Sequence, residues 1–236
     1  MNQNPALAQI REKERASHTQ LYSEHALYQD GSWLKKPVKS VLELIPLFRS
    51  YTQLRVLDLG CGVGRNCIAI ARHFSGIPCS VDCVDILELA IQKLEENANK
   101  YGVAQSIHGI VEPIDAYSIP PNQYDWILAV SALEHMDSKT SFLKKLEEIR
   151  DGIRKNGIVS LVINSDVKEF DKSTGSAMPV QFELNFSTAE LRDLLEQAFR
   201  GWQVLKSTVK TQQYDIPREN GICVLRTSVV TFAAKK

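Results

Sequence analysis

The sequence predicts an α/β fold: a doubly wound, mostly parallel sheet of seven strands whose last strand is antiparallel, preceded by a helical extension. Strand-like and helix-like segments alternate over residues 55–163, which is typical of consecutive β-α-β units. Two long strands, residues 202–210 and 222–231, then follow each other without a helix between them, so they either pair antiparallel or lie apart. We therefore expect one sheet that is covered by helices on both faces.

Composition limits the classes of function. The chain has 236 residues, with 28 Lys and Arg balanced by 28 Asp and Glu, so no net charge favours nucleic acid or an anionic membrane. No apolar run approaches the length of a membrane span, and residues 1–15 lack the apolar core of a secretory signal. The five cysteines form no C-x-x-C pair and have no histidine at ligand spacing. We expect a cytoplasmic protein with reduced thiols, no metal site, no nucleic-acid partner and no membrane partner.

In chain order, residues 1–50 form the predicted extension and residues 51–236 the main domain. Helical segments are predicted at residues 5–27 and 39–49. A helical stripe of aromatic and imidazole side chains in the first segment has two interpretations, core packing or a lid over a ligand: His18, Tyr22, His25 and Tyr28, ahead of Trp33.

The first strand, residues 55–59, runs into a glycine turn and an apolar helix. Gly60, Gly62 and Gly64 let the backbone approach a ligand closely at a helix N-terminus. A dinucleotide fingerprint needs its last glycine where this chain has Arg65, so a nicotinamide oxidoreductase is disfavoured. Asp58 suits a ligand with a cationic centre better than a pyrophosphate. The turn therefore predicts a ligand with a cationic centre and not a dinucleotide.

The second strand, residues 80–84, ends at Asp85, about 20 residues after the turn, where this layout places a ribose-binding carboxylate. Ile86 follows and could pack on an adenine face. The alternative is that Asp85 only caps the N-terminus of the predicted helix 87–100.

Further strands are predicted at residues 106–110, 126–130 and 157–163, and helices at 140–154 and 191–199, the last opened by a Ser187–Glu190 capping box. A long loop is expected over residues 165–185. Val130 and Ser131 end the fourth strand, at the edge where open sheets bind ligands. His135 follows closely and could act as a base, or could simply end a polar turn.

The stretch Leu57-Asp58-Leu59-Gly60-Cys61-Gly62-x-Gly64-Arg65-Asn66 resembles the first cofactor motif of class I S-adenosylmethionine-dependent methyltransferases. The chain is also similar to the tellurite-resistance (TehB-type) branch of this family. This similarity rests on the same stretch together with Phe182-Glu183-Leu184-Asn185-Phe186, Glu190-Leu191, Gly201-Trp202, the Glu219-Asn220-Gly221 turn and the tail. The chain departs from that branch at Leu133-Glu134-His135 and at residues 210–213. The resemblance implies a Rossmann-like sheet and S-adenosylmethionine as cofactor, with S-adenosylhomocysteine as product. It also implies an adenine contact in the loop of Asp115 and Ala116.

The predicted function is methyl transfer to a small-molecule acceptor, with a thiol or a chalcogen oxyanion such as tellurite among the candidates. The alternative is a catalytically silent module that binds the cofactor, alone or as a subunit. A monomer or a homodimer fits either function. The predicted catalytic residue is His135, and the predicted cofactor site consists of Asp58, Gly60, Cys61, Gly62, Gly64, Arg65, Asn66, Asp85, Ile86, Asp115, Ala116, Val130 and Ser131.

Overall fold

The computed structural model describes Thr19, residues 21–218 and residues 221–236. The strands are β1 (Leu54–Leu59), β2 (Cys79–Asp85), β3 (Ile107–Val111), β4 (Tyr124–Val130), β5 (Ile153–Asp171), β6 (Ala177–Met178), β7 (Gln203–Arg218) and β8 (Gly221–Lys235). The α-helices in these ranges are α1 (Lys39–Leu44), α2 (Cys67–His73), α3 (Glu88–Lys100), α4 (Lys139–Gly152) and α5 (Thr188–Ala198). Short 3₁₀ turns lie at Trp33–Lys35, Ile45–Phe48, Ala104–Ser106 and Leu133–His135.

The strands form one sheet in the order β3-β2-β1-β4-β5-β8-β7. Strands β1 to β5 are parallel to one another, and β8 is antiparallel to both β5 and β7. The predicted doubly wound sheet with its last strand antiparallel is confirmed. The two-residue strand β6 adds a small antiparallel pair to β5.

Helices cover both faces of the sheet because its central strands are apolar on both sides. On one face, α1, α2 and α3 pack with the alternate residues Val56 and Leu128. On the other, α4 and α5 pack with Leu57 and Ile127. Because β1 to β5 are parallel, their carboxyl ends lie at the same edge of the sheet. The predicted site residues lie at this edge.

The N-terminal extension packs into the first of these layers. The Phe48 ring stacks on Trp126 of β4, with centroids 4.9 Å apart and planes 19° apart. Leu34, Val41 and Phe48 are fully or almost fully buried. The predicted helix over residues 39–49 is present as α1 followed by a 3₁₀ turn. Most of the predicted helix over residues 5–27 lies outside the described residues, although residues 21–24 are helical.

Strand β5 is much longer than its prediction, and the loop expected over residues 165–185 is wrong for residues 165–171 and for the two residues of β6. The strand passes an irregularity between Ser165 and Lys168, where Asp166 has a φ of 47°, and then pairs again with β8. Beyond that point Val167 and Glu169 are buried while Lys168 between them is not, so a strand alternates there. The polar composition of residues 165–171 did not predict a strand. Glu169 is polar in sequence, but it is buried in the structure with an ionic partner from another strand.

Candidate active site

The glycine turn joins β1 to α2 against two neighbouring strands. The amides of Gly60 and Cys61 donate to the Val84 carbonyl of β2 at 2.8 and 3.0 Å. A Cβ added to Gly60 would lie 2.3 Å from the Ala132 Cβ, just after β4. Gly60, Gly62 and Gly64 all have positive φ, from 54° to 95°. The turn therefore needs glycine for its dihedral angles and, at Gly60, for the close approach to the end of β4.

Asp85 connects the end of β2 to this turn. One carboxylate oxygen accepts from the Gly62 amide at 2.8 Å, and the other accepts from the Leu87 amide at 3.0 Å. The N-cap of α3 is Leu87, with no side-chain cap, so Asp85 does not occupy the capping position that the alternative interpretation gave it. Asp85 is 9% exposed, and its exposed part faces a cavity.

That cavity, of about 140 Å³, lies at the carboxyl ends of β1, β2 and β4. It brings together six of the predicted site residues: Gly60, Asp85, Ile86, Asp115, Ser131 and His135. Seven further residues line it that were not among the predicted site residues: Tyr22, Leu87, Pro113, Ile114, Ala132, Met136 and Glu183. Ser131 has a left-handed φ of 51°, a strained value for a residue with a side chain, and its amide donates to the Val162 carbonyl at 2.8 Å.

The other predicted residues do not line the cavity: Asp58, Cys61, Gly62, Gly64, Arg65, Asn66, Ala116 and Val130. Two of them hold the N-terminal extension. The Asn66 side-chain oxygen accepts from the Val38 amide at 3.1 Å. Arg65 donates to the Trp33 carbonyl at 3.1 Å, and its guanidinium carbon lies 5.0 Å from the centre of the Trp33 ring. The first turn after the glycines therefore fastens the extension next to the cavity.

Asp58 lies in the middle of the sheet, paired with Cys83 of β2 and Leu128 of β4. It is 1% exposed, and neither carboxylate oxygen has a hydrogen-bond partner within the part of the chain that the structure describes. Burial raises the pKa of this carboxyl from 3.8 to about 7, although the nearby Arg65 guanidinium opposes the shift. A positive charge placed near this buried carboxyl would stabilise its ionised form.

His135 makes a contact that the sequence did not reveal. Its Nδ1 lies 2.8 Å from Oε2 of Glu183, whose side chain is 2% exposed, and its ring stacks on Phe182 with centroids 5.2 Å apart. Glu183 is 48 residues away along the chain, in the loop before α5. No local spacing relates the two residues, although Glu183 stands inside the C-terminal segment that carried the family resemblance.

Next to His135 in the chain, Glu134 is fully buried and does not line the cavity. Its Oε1 accepts from the Asn164 amide at 3.0 Å and from the Asn164 side chain at 2.6 Å. Its carbonyl accepts from the Leu184 amide at 2.9 Å, which fixes the segment carrying Glu183. Burial raises the pKa of the Glu134 carboxyl, and the adjacent His135 and Asn164 oppose the shift.

Tyr22 lines the cavity from the N-terminal extension. It is 6% exposed, and its hydroxyl lies 2.7 Å from the position that a Cβ on Gly62 would occupy. Its ring centre is 6.1 Å from that of Trp33. Tyr22 therefore both packs into the core and faces the cavity, so the two interpretations of the aromatic stripe are compatible at this residue.

Across the described residues, no group of three or more His, Cys, Asp or Glu side chains is placed to hold a metal ion. None of the helices in the same ranges combines the length and the apolar content needed to cross a bilayer.

Comparisons with known proteins agree with this geometry. Residues 56–157 match a family described as "Methyltransferase domain". A curated relative from Papaver bracteatum, named probable (S)-tetrahydroprotoberberine N-methyltransferase 2, is 28% identical over 137 residues. These residues make up 58% of this chain but only 31% of the relative, so the chain spans about a third of that protein.

Solved structures share the fold at low sequence identity. TehB from Haemophilus influenzae has a TM-score of 0.60 and 21% identity, covering 82% of this chain and 61% of its own. An S-adenosylmethionine-dependent methyltransferase from Methanosarcina mazei has a TM-score of 0.57 and 19% identity, covering 81% of this chain and 97% of its own. Together with the domain match, they confirm the predicted fold class and the resemblance to class I methyltransferases and TehB.

Proposed function

We propose that the cavity binds S-adenosylmethionine and that the protein transfers the cofactor's methyl group to a small-molecule acceptor. One observation carries the proposal. The Asp85 carboxylate is held at the end of β2 by the amides of Gly62 and Leu87, and it faces a cavity that also contains Gly60 and Asp115. An acid at a strand end beside a glycine turn is the arrangement that binds a ribose in open α/β sheets.

Each predicted residue has a proposed part in this site. Asp85 would accept from the ribose hydroxyls, and Ile86 with Asp115 and Ala116 would contact the adenine. Gly60, Cys61, Gly62 and Gly64 would form the backbone cradle, with Val130 and Ser131 beside the methionine portion. Asp58 would favour the cofactor's positive charges through the field of its carboxylate. Arg65 and Asn66 would act indirectly, by holding residues 33 and 38 of the extension.

The bound cofactor would supply an electrophilic methyl group on a sulfonium, and the protein's own task is to position the acceptor and exclude water. Orientation of that kind contributes roughly 7–11 kcal/mol to lowering a barrier. Within the extension of residues 1–50, the part around Tyr22 would act as the lid over residues 51–236, because Tyr22 contacts both the core and the cavity, whereas Leu34, Val41 and Phe48 belong to the core. An aromatic face near the sulfonium also favours its positive charge.

The acceptor is proposed only as a small molecule at this stage. A thiol or a chalcogen oxyanion such as tellurite remains a candidate from the TehB resemblance. Because the curated relative is named as an N-methyltransferase, amines join the acceptor panel. Cytoplasmic location and a monomeric or homodimeric state are part of the same proposal.

Calorimetry with S-adenosylhomocysteine tests the cofactor site. We expect the wild-type protein to bind it, and Asp85→Ala to weaken binding by on the order of 1–3 kcal/mol through loss of charge-assisted hydrogen bonds. Glu88→Ala is the matched control, an exposed acid that does not line the cavity.

An unchanged dissociation constant in a folded Asp85→Ala variant would move the ribose site elsewhere. Binding of a nicotinamide dinucleotide without binding of S-adenosylhomocysteine would contradict the proposal. Binding with no labelled-methyl transfer to thiol, amine, oxyanion or chalcogen acceptors would instead support the silent binding module.

A further inference from the structure

A second cavity shares Tyr22 with the first. It has a volume of about 220 Å³ and is bounded by the extension, the glycine turn and one face of α3. Its described lining residues are Tyr22, His25, Ala26 and Leu27 of the extension, Val63 of the turn, and Lys93, Glu96, Asn97 and Lys100 of α3. None of the predicted cofactor residues lines it, so the second cavity is separate from the proposed cofactor site.

Two hydrogen bonds fix the frame of this cavity. The Asn97 side chain donates to the Val63 carbonyl at 3.0 Å, which holds the glycine turn against α3. The Tyr101 hydroxyl, just after α3, donates to the Leu27 carbonyl at 3.1 Å. That bond fastens the extension to the end of α3 immediately after the residues that line the cavity. The cavity therefore has a preformed wall on α3 and a preformed end at Leu27.

The lysines of α3 give the lining unpaired positive charge. Lys93 and Lys100 are seven positions apart, so they lie on the same face of the helix. Glu96 stands between them at helical ion-pair spacing, yet neither lysine forms an ion pair with it or with any other described residue. Lys93 is also half-buried. Because partial burial weakens the solvation of an ammonium group, an anion bound beside Lys93 would stabilise its charge.

The basic groups of the lining come from two elements. Lys93 and Lys100 belong to α3, and His25 belongs to the extension. An imidazole is neutral or cationic near neutral pH, so His25 has no electrostatic attraction to two ammonium groups across the same cavity. An oxyanion between them would accept charge-assisted hydrogen bonds from both elements. Such a ligand would join the extension to α3.

The apolar part of the lining determines the body of the ligand. Leu27 and Val63 are buried apolar side chains, 4% and 3% exposed, and Tyr22 adds an aromatic ring. A bare inorganic ion would leave these surfaces facing water, whereas a ligand with an apolar body would cover them. The cavity therefore favours an oxyanion that is carried on a small apolar or aromatic body.

We propose that the second cavity is a regulatory site for a small organic oxyanion, a carboxylate or a phosphate ester, whose charged group binds the basic residues of the lining and whose body packs beside Tyr22. The bound oxyanion tightens binding in the first cavity through Tyr22, which lines both cavities, and through Val63, the neighbour of Gly62. The second site stands independently of the proposed function, but its effect on cofactor binding rests on that function.

Calorimetry with four small probes tests the ligand class. Phenyl phosphate and benzoate carry an oxyanion on a benzene ring, benzyl alcohol has the ring without the charge, and inorganic phosphate has the charge without the ring. We expect the two aromatic anions to bind the 236-residue protein more tightly than the other two probes do. The tighter of the two aromatic anions distinguishes a phosphate ester from a carboxylate. No binding of either aromatic anion, or equally tight binding of benzyl alcohol, overturns the inference.

Two opposite charge changes on α3 locate the site. Lys93→Gln removes a positive charge and should weaken phenyl phosphate binding about tenfold, whereas Glu96→Gln removes the acid and should strengthen it about threefold. Both replacements introduce a residue that favours helix, so we expect the fold to be retained. Lys155→Gln, a change of an exposed lysine that lines neither cavity, is the matched control. An unchanged affinity in Lys93→Gln, or changes of the same direction in both α3 variants, overturns the inference.

The effect on the first cavity is measured on the same proteins. Without a probe, all the variants should bind S-adenosylhomocysteine as the wild-type protein does. We expect saturating phenyl phosphate to lower the wild-type dissociation constant for S-adenosylhomocysteine about three- to tenfold, and S-adenosylhomocysteine to tighten phenyl phosphate binding by the same factor. Weaker binding of S-adenosylhomocysteine would place the probe in the first cavity and overturn the inference. An unchanged dissociation constant overturns the regulatory role.

Failure of this inference and failure of the proposed function are distinguishable. Loss of S-adenosylhomocysteine binding in every sample removes the proposed function, while binding of phenyl phosphate that depends on Lys93 would still support the second site. Conversely, normal S-adenosylhomocysteine binding in a protein that binds none of the four probes leaves the proposed function intact and overturns the inference.

Discussion

The charged carboxylate of Asp58 is proposed to attract the cofactor's positive charge, but its burial destabilises the folded protein. Its carboxyl is buried in the centre of the sheet with no hydrogen-bond partner among the described residues. Because burial raises its pKa to about 7, the folded protein binds a proton that the unfolded chain has already lost above about pH 4. Folding stability contributed by this group therefore falls as the pH rises from about 4 to about 7.

We predict that Asp58→Asn stabilises the protein without cofactor by on the order of 4 kcal/mol at pH 8 and by nearly nothing at pH 4. The same change should weaken S-adenosylhomocysteine binding, because the field of the carboxylate is lost. Urea denaturation at the two pH values checks the first expectation. Asp30→Asn, which alters an exposed ion pair with Lys35, is the control. A gain independent of pH would contradict the assignment.

Gly62 combines a left-handed backbone with a close contact. Its φ is 54°, its amide holds Asp85, and a Cβ there would lie 2.7 Å from the Tyr22 hydroxyl. Gly102 has a φ of 71°, and a Cβ added to it would have nothing within 4 Å, so it isolates the cost of the dihedral angle.

We expect Gly62→Ala and Gly102→Ala to lose similar stability from strained φ, about 1–2 kcal/mol each. Gly62→Ala alone should lower S-adenosylhomocysteine affinity at least tenfold, about 1.4 kcal/mol, since Tyr22 and the amide of residue 62 must shift. Calorimetry on both variants measures the difference. Equal affinities would mean that the ligand does not depend on this turn.

At the scale of elements, the outer halves of β5, β7 and β8 are held by a buried ion pair. Both oxygens of Glu169 accept from Arg218 at 3.1 Å, and Glu169 also accepts from the Gln181 amide at 2.9 Å and from the Cys223 thiol at 3.3 Å. The Glu169 side chain is fully buried and that of Arg218 is 11% exposed. A pair of this kind is costly to break, because the remaining charge stays buried.

We predict that Glu169→Ala costs about 3–5 kcal/mol of the free energy of unfolding, whereas the double change Glu169→Met with Arg218→Met costs much less. Chemical denaturation of both variants measures the contrast. S-adenosylhomocysteine affinity should stay unchanged in the folded double variant, since neither residue lines the cavity. Equal losses in the two variants would show that the pair adds nothing beyond its separate side chains.

The same elements show where sequence reasoning works and where it stops. The turn of Gly60, Gly62 and Gly64 was predictable, because glycine spacing encodes the backbone angles locally. The outer half of β5 was not, because Glu169 is polar in sequence and becomes a buried residue only through Arg218, 49 residues away. Glu183 was not among the predicted site residues for the same reason, since its partner His135 is 48 residues away along the chain.

For the whole molecule, the parallel sheet with its last strand antiparallel, and the edge at which the site forms, followed from the alternation of segments and from the two final strands. Six predicted site residues came together in one cavity because each lies at, or shortly after, the carboxyl end of a parallel strand. The remaining lining residues come from the extension, from the segments after β2, β3 and β4 and from the loop before α5. Their meeting depends on tertiary packing, which short-range spacing does not encode.

The most direct test of the proposed cofactor site is a crystal structure of the protein with S-adenosylhomocysteine bound. We predict the ligand in the cavity at the ends of β1, β2 and β4, with its ribose hydroxyls within about 3 Å of the Asp85 carboxylate, and its sulfur on the side of His135. A ligand bound outside this cavity, or one whose ribose makes no contact with Asp85, would contradict the proposal.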